Sequence, residues 1–304
     1  MKLRHLIQNR IPNVFNRLSH IVCGSRGSGG QQIVVSMSEA GTLDRKIGSR
    51  RVSTIADLKV VGEINDRDLS FVRKMARRCL RKIDLSEARI TSSKYDFNTR
   101  KNVVAPNAFA HCTNLEEISL PNDIVFIGNN AFECCRRLSR ITIPNSVTAI
   151  DSKAFYECSG LREIRIPDSV ATIGSYAFFG CSRLVSAVLP SGLTQINTSM
   201  FEECSSLSAV DIPESVERIG ENAFCGCRRL QTVNLPKSVA RISAGVFSGC
   251  SMLKAIYVYC RQVPAVRAHA FSGCPNKCNV YVPKGMLHDY WLSEFGHFDN
   301  IVEF

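Results

Sequence analysis

The 304-residue sequence predicts a repeat solenoid of mainly β structure, because several residue types return at one fixed step. A phenylalanine and a cysteine recur together every 23 residues, as Phe109/Cys112, Phe132/Cys135, Phe155/Cys158, Phe178/Cys181, Phe201/Cys204, Phe224/Cys227, Phe247/Cys250 and, one residue late, Phe271/Cys274. Proline keeps the same step from Pro121 to Pro236, leucine from Leu115 to Leu253 and isoleucine from Ile127 to Ile242. Coincident columns at a single period mark identical short units, each too small to bury its own apolar side chains and stable only when stacked.

The chain divides into four parts. Residues 1–57 read as a basic leader without regular structure. No acidic residue occurs in 1–38. Leu3, Leu6, Ile7, Val14, Phe15 and Leu18 line one side of a short helix that Pro12 interrupts, and Ser25 to Gly30 reads as a flexible linker. A secretory signal needs a continuous apolar stretch of about 7–15 residues, and charges and amides break up Met1 to Ser19. Three readings of this segment stay open: a start assigned in the wrong place or a fragment without its true leader, a cytosolic protein, or an Arg-rich organelle presequence.

Residues 58–97 read as a small α/β cap. Leu58 to Ile64 alternates as a strand, Asn65-Asp66 is a turn, Leu69, Val72, Met75 and Ala76 have helical spacing, and Leu80 to Leu85 returns to strand. Such a cap seals the end of a stack, where the phenylalanine and leucine columns would otherwise face water.

Residues 98–282 are the repeat array. In the unit Pro144 to Ile166 the proline ends a strand because it has no N–H to donate, Asn145-Ser146 supplies turn chemistry, and Val147 and Ile150 form an inward pair. Ala154, Phe155 and Cys158 fill the interior, Leu161 follows, and the alternation at Ile164 and Ile166 makes the next strand. At an inter-strand spacing of roughly 4.8 Å, about eight coils form a core about 35–40 Å long. Residues 283–304 are a short C-terminal cap, with a helix expected over Gly285 to Trp291 and the single tryptophan as its anchor.

The unit P-x-S-V-x-x-I-x-x-x-A-F-x-x-C-x-x-L-x-x-I-x-I resembles the leucine-rich repeat of the BspA-like bacterial surface proteins, close relatives of the treponemal type, from about Asn98 to Pro283. Val280-Tyr281-Val282-Pro283-Lys284-Gly285, with Tyr290 and Phe298 to Ile301, is similar to that family's closing segment, and Leu58 to Ser86 is similar to its N-terminal cap. The resemblance implies a leucine-rich-repeat-like stack in a secreted or cell-surface protein that adheres to protein or glycan ligands. It transfers no active-site residue. An intracellular protein-interaction scaffold, cytoplasmic in location, is the alternative.

The net charge of +11 is unevenly placed: residues 1–102 hold 21 Lys and Arg against 9 Asp and Glu, and residues 103–304 hold 17 against 18. A neutral array lacks the basic stripe that phosphate neutralisation needs, so nucleic acid is not the expected partner, and Arg73 to Arg78 reads as the solvated face of the cap helix. No apolar run reaches the ~18–20 residues of a membrane-spanning helix. The chain is expected to act as a monomer.

Eight of the 14 cysteines form the repeat column and are expected as buried free thiols, since their parallel Cβ vectors do not favour disulfides between neighbours. The others are Cys23, Cys79, Cys134, Cys225, Cys260 and Cys278, and a disulfide among Cys260, Cys274 and Cys278 stays open. No metal or other cofactor is expected, because no C-x-x-C pair occurs and only His269 lies near that cluster. The six histidines are scattered, His111 occupies a variable repeat position, and no phosphate-binding or nucleophile motif is present, so no catalytic residue is assigned and the chain is not expected to be an enzyme.

The expected binding face is the outward side of the strands, where residues flanking the inward isoleucine or valine form two columns. Its candidates are Glu117, Ser119, Arg140, Thr142, Glu163, Arg165, Ser186, Asp211, Thr232, Asn234 and Tyr257, grading from a charged half into a small, neutral half. A variable face on a repeated scaffold is a usual geometry for extended recognition.

Overall fold

The computed structural model describes residues 21–23, 32–48, 51–92 and 100–304. They form a parallel β-solenoid with small caps. Two strand systems run along it. Strands such as Glu163–Arg165, Ser186–Val188 and Ala209–Val210 stack in parallel and in register, Glu163 on Ser186 and Ser186 on Ala209. Two-residue strands such as Ala149–Ile150 and Thr172–Ile173 build a second system on another side of the coil, Ile150 on Ile127 and Ile173 on Ile150. Each ladder is divided once, between Arg140–Thr142 and Glu163–Arg165 in the first and between Thr172–Ile173 and Gln195–Ile196 in the second.

Inside, the repeat columns become stacks. Ring centroids of Phe109, Phe132, Phe155, Phe178, Phe201, Phe224, Phe247 and Phe271 follow one another at 5.2–5.8 Å with planes 2–7° apart. The turn that carries each phenylalanine is laddered too: Phe132 N–H donates to the Ala154 carbonyl of the following coil, Phe155 to Ala177 and Phe178 to Met200, at 2.8–2.9 Å. Strand amides donate the opposite way, as Gly174 N–H does to the Ile150 carbonyl at 2.8 Å. Both kinds of bond run from coil to coil, which gives buried backbone groups the partners that a stack requires.

The column cysteines do more than fill space. The Cys135 thiol donates to the Phe109 carbonyl at 3.1 Å, Cys158 to Phe132 at 3.1 Å, Cys181 to Phe155 at 3.3 Å and Cys204 to Phe178 at 3.2 Å. A small apolar side chain with a weak donor suits this position. Burial pushes the Cys158, Cys181, Cys204 and Cys227 thiols far above their ordinary range. Cys260, Cys274 and Cys278, where a disulfide stayed open, are free thiols, with Cys260 donating to the Pro236 carbonyl at 3.1 Å and Cys274 to the Phe247 carbonyl at 3.1 Å.

Each coil turns through two left-handed residues. One set is Asn107, Asn130, Lys153, Tyr176, Ser199, Asn222 and Gly245, with φ of 54–66°; the other is His111, Cys134, Glu157, Gly180, Glu203, Gly226 and Gly249, with φ of 53–72°. The position of His111, variable in the sequence, is thus fixed in backbone conformation. Only its side chain varies.

The caps continue the stack. Residues 32–48, within the span read as leader, carry strand β2 (Ile33–Met37) and helix α1 (Leu43–Ile47). Strand β1 (Ile21–Cys23) lies antiparallel to β2, and β2 pairs in parallel with β3 (Asp57–Ile64). Burial of Val35, Met37, Leu43 and Ile47 explains the order here, since five consecutive β-compatible residues supply an inward face that the Gly/Ser/Arg-rich surroundings obscure. The helical stripe expected over Leu3 to Leu18 and the linker expected over Ser25 to Gly30 lie outside the described residues.

After β3 comes helix α2 (Asp66–Ala76), opened by a capping box: the Asn65 side chain accepts from the Asp68 N–H and the Asp68 side chain from the Asn65 N–H. Asp68 is buried, and it also accepts from Gly41 N–H at 2.5 Å and Leu43 N–H at 2.9 Å, tying α1 to α2. Strand β4 (Lys82–Asp84) then aligns Lys82 with Glu117, so the cap sheet runs into the repeats without a break. Arg73 in α2 and Arg77, which caps its C-terminus, donate to the Asn107 and Ala110 carbonyls of the first coil, each at 3.0 Å.

At the other end, strands Asn279–Val282 and Asn300–Glu303 extend the ladder past the repeats. The C-terminal helix spans Leu287–Trp291, but its anchor is not the tryptophan: Trp291 is 43 % exposed. Tyr290 is fully buried and donates its hydroxyl to the Cys260 carbonyl at 2.9 Å. Phe295 and Phe298 cover the last ring of the phenylalanine column, each 5.1 Å from Phe271. A hydroxyl that can reach a stranded carbonyl suits a sealed end better than a larger indole.

Candidate functional site

All eleven residues nominated for the binding face stand on the outward side of the first strand system. The strand alternation places them there, with Ile118, Ile141, Ile164, Ala187, Val210, Val233 and Ile256 buried between them. Arg140, Thr142, Glu163, Arg165, Ser186 and Asp211 are exposed; Glu117, Ser119, Thr232, Asn234 and Tyr257 are half-buried. In-register pairing on either side of the division between Arg140–Thr142 and Glu163–Arg165 aligns them in two columns, so neighbouring side chains on paired strands are about one strand spacing, roughly 4.8 Å, apart.

The charged half is partly neutralised within itself. Glu117 lies 3.2 Å from Lys82 on the cap side and 3.4 Å from Arg140 on the next coil. Beside it, Arg81 grips Glu116 with two hydrogen bonds of 2.9 Å, which hold the Glu116 carboxyl below its usual range. Glu163 and Arg165 form no ion pair among the described residues, so the unspent charge of this half is concentrated on one coil. At mid-length Val188 is 49 % exposed, an apolar point on the same column.

The neutral half ends in an aromatic cluster larger than Tyr257 alone. Tyr257 stacks on Tyr281 at 4.6 Å and 9°, and Val302 follows in register. Two residues along, exposed Tyr259 meets exposed Phe304 edge-on at 5.4 Å. Tyr281 was findable in the sequence, because Val280-Tyr281-Val282 repeats the alternation of Ile256-Tyr257-Val258. Tyr259 and Phe304 carry no such signal, since one stands at the proline position of its coil and the other at the end of the sequence.

A model of the BspA type leucine rich repeat region matches residues 89–207 and 148–277, in six copies. The chain belongs to the BspA-type leucine-rich repeat family. No curated protein sequence matches it. Among solved structures it is similar to a leucine-rich repeat protein from Bacteroides ovatus, with 20 % identity over 94 % of this chain and 98 % of that one and a TM-score of 0.53. A leucine-rich repeat protein from Eubacterium ventriosum is similar at 20 % identity over 72 % of this chain and 65 % of that one, with a TM-score of 0.52. The T. pallidum leucine-rich repeat protein shares 23 % identity over 66 % of this chain and 83 % of that one, with a TM-score of 0.41. The first two likenesses are of fold. The BspA-type match makes the chain a repeat-based binding module. No helix among the described residues is long and apolar enough to cross a membrane, and these residues hold no group of three or more metal-ligating side chains.

Proposed function

We propose that this BspA-type protein is a non-enzymatic, secreted or cell-surface module of adhesin type, which holds protein or glycan ligands on its outward strand face. One observation carries the reading: side chains change from coil to coil along the outward columns while the positions between them stay apolar and buried, so recognition varies without cost to the core. In this reading residues 98–282 bear the ligand, 58–97 with residues 32–48 packed on them and 283–304 seal the ends, and the chain works as a monomer. Contact begins at the unpaired charges of Glu163 and Arg165 and extends to the Tyr257 and Tyr281 pair, where ring faces suit an apolar or sugar surface. The test is a matrix-protein and glycan array probed with wild type and with the triple reversal Arg140→Glu, Glu163→Lys and Arg165→Glu. Loss of a specific partner with an unchanged melting curve supports the face; unchanged binding to every partner recovered by wild type moves the site elsewhere.

The free thiols of the cysteine column favour a second reading, an intracellular scaffold for protein partners, because unpaired cysteines persist most readily in a reducing compartment. Fractionation of the producing cell separates the two readings.

A further inference from the structure

The short-strand system carries three arginines, Arg218, Arg241 and Arg267, that form no ion pair among the described residues. Arg218 and Arg241 are register neighbours on adjacent strands, so two guanidinium groups project from positions about one strand spacing, roughly 4.8 Å, apart. Arg267 lies one coil further on, and its N–H donates to the Ile242 carbonyl at 2.9 Å. All three side chains are exposed. The ion pairs among the described residues engage Lys59, Arg67, Arg81, Lys82, Arg89, Arg136, Arg140 and Arg228, and none of these three arginines.

Arg218 and Arg267 line a single groove of about 460 Å³. Between them lie Gly220 and Ser243, too small to fill it, and at Gly220 a Cβ would come within 2.6 Å of the Thr198 amide nitrogen. Gln195 and Asn197 supply amides at one end. The Asn197 Nδ2 donates to the Ile173 carbonyl at 2.6 Å, and the residue lines the groove with an amide oxygen that can accept. Glu221 stands on the wall.

We infer that this groove binds a carboxylated sugar, with the Arg218 and Arg267 guanidinium groups on the carboxylate and Gln195, Asn197 and Ser243 on the ring hydroxyls. Guanidinium forks match a planar carboxylate with two parallel hydrogen bonds, and mixed amide and hydroxyl groups match sugar hydroxyls, which both donate and accept. Glu221 selects against dense polyanions, since a second or third negative group in the groove meets its carboxylate. A peptide fits less well. The groove's strands spend their amides on the ladder, Gly220 N–H on the Ile196 carbonyl at 2.7 Å and Ser243 N–H on the Ile219 carbonyl at 3.0 Å, and where the ladder is divided beside Gln195–Ile196 the Asn197 side chain already takes the Ile173 carbonyl, which leaves a peptide strand few partners. Its isoleucines, Ile196 and Ile219, are buried and offer no apolar anchor.

The site is separate from the outward strand face, and its test is independent of that reading. The full chain is titrated calorimetrically with a trisaccharide carrying a single uronic acid, a trisaccharide carrying a single sialic acid, a neutral trisaccharide, a heparin fragment and a triglutamate peptide. Binding of the uronate or the sialoside, with the neutral sugar, heparin and peptide at least tenfold weaker, is expected, and whichever acid sugar binds names the source. Arg218→Gln with Arg267→Gln should weaken that binding at least tenfold without moving the melting curve, the triple reversal on the strand face should leave it unchanged, and Glu221→Gln should raise heparin affinity. The inference is overturned if neither acid sugar binds better than the neutral one, if heparin or the peptide binds as well, or if the double Arg variant binds like wild type.

Discussion

At the residue scale, each repeat column does one job that can be tested alone. Phe178 sits in the middle of the ring stack, fully buried, between Phe155 at 5.3 Å and Phe201 at 5.4 Å. Phe178→Ala removes a ring that neighbouring coils cannot close over, and should lower unfolding stability by about 3–5 kcal/mol in chemical denaturation. A midpoint equal to wild type would deny the column its burial. The column thiols are predicted to resist a thiolate-directed reagent at pH 8 until denaturant is added, because burial closes access to them and, at Cys158, Cys181, Cys204 and Cys227, raises the pKa, while among the described residues half-buried Cys79, Cys134 and Cys225 react first. Rapid labelling of most of the eight in native conditions would contradict this. The identity of the columns was legible in the sequence because burial selects residue type at each step. The conformation at the His111 position was less so. Gly180, Gly226, Gly249 and Gly273 return there and signal a left-handed turn, but Glu157 and Glu203 at the same position mask the signal by looking like surface variation.

At the element scale, the caps are held by polar contacts that periodicity does not reveal. Asp68 accepts hydrogen bonds from the Gly41, Leu43 and Asn65 amides, so Asp68→Ala strands three donors and should cost about 1–3 kcal/mol, with accelerated hydrogen exchange confined to α1 and the start of α2. Exchange that rises evenly along the whole solenoid, or not at all, would show that the aspartate does not join the two helices. The strand, turn and helix of β3 to α2 could be read from alternation and from Asn65, since these are local signals. Strand β2 could not, because five residues give too short a pattern and its partner β3 is 25 positions away, Ile33 lying beside Leu58. The choice of Tyr290 over Trp291 as anchor depends on the stranded Cys260 carbonyl, a tertiary fact with no trace in the local sequence.

At the scale of the whole molecule, scaffold and surface are separable. Core residues repeat because each meets a copy of itself on the next coil, and this self-contact is why the period alone reveals the fold. The outward columns were legible for the same reason, as alternation assigns them a side. What they contact is not encoded in any period, and the groove between Arg218 and Arg267 escaped the sequence because it joins positions from different coils and different columns. The most direct test compares two variants of the full chain for melting and for binding of a partner recovered on the array. The triple reversal of Arg140, Glu163 and Arg165 should keep the wild-type melting curve and lose the partner, and Phe178→Ala should melt earlier yet bind like wild type well below its transition. A triple reversal that binds normally, or that lowers the melting curve as Phe178→Ala does, would contradict the account.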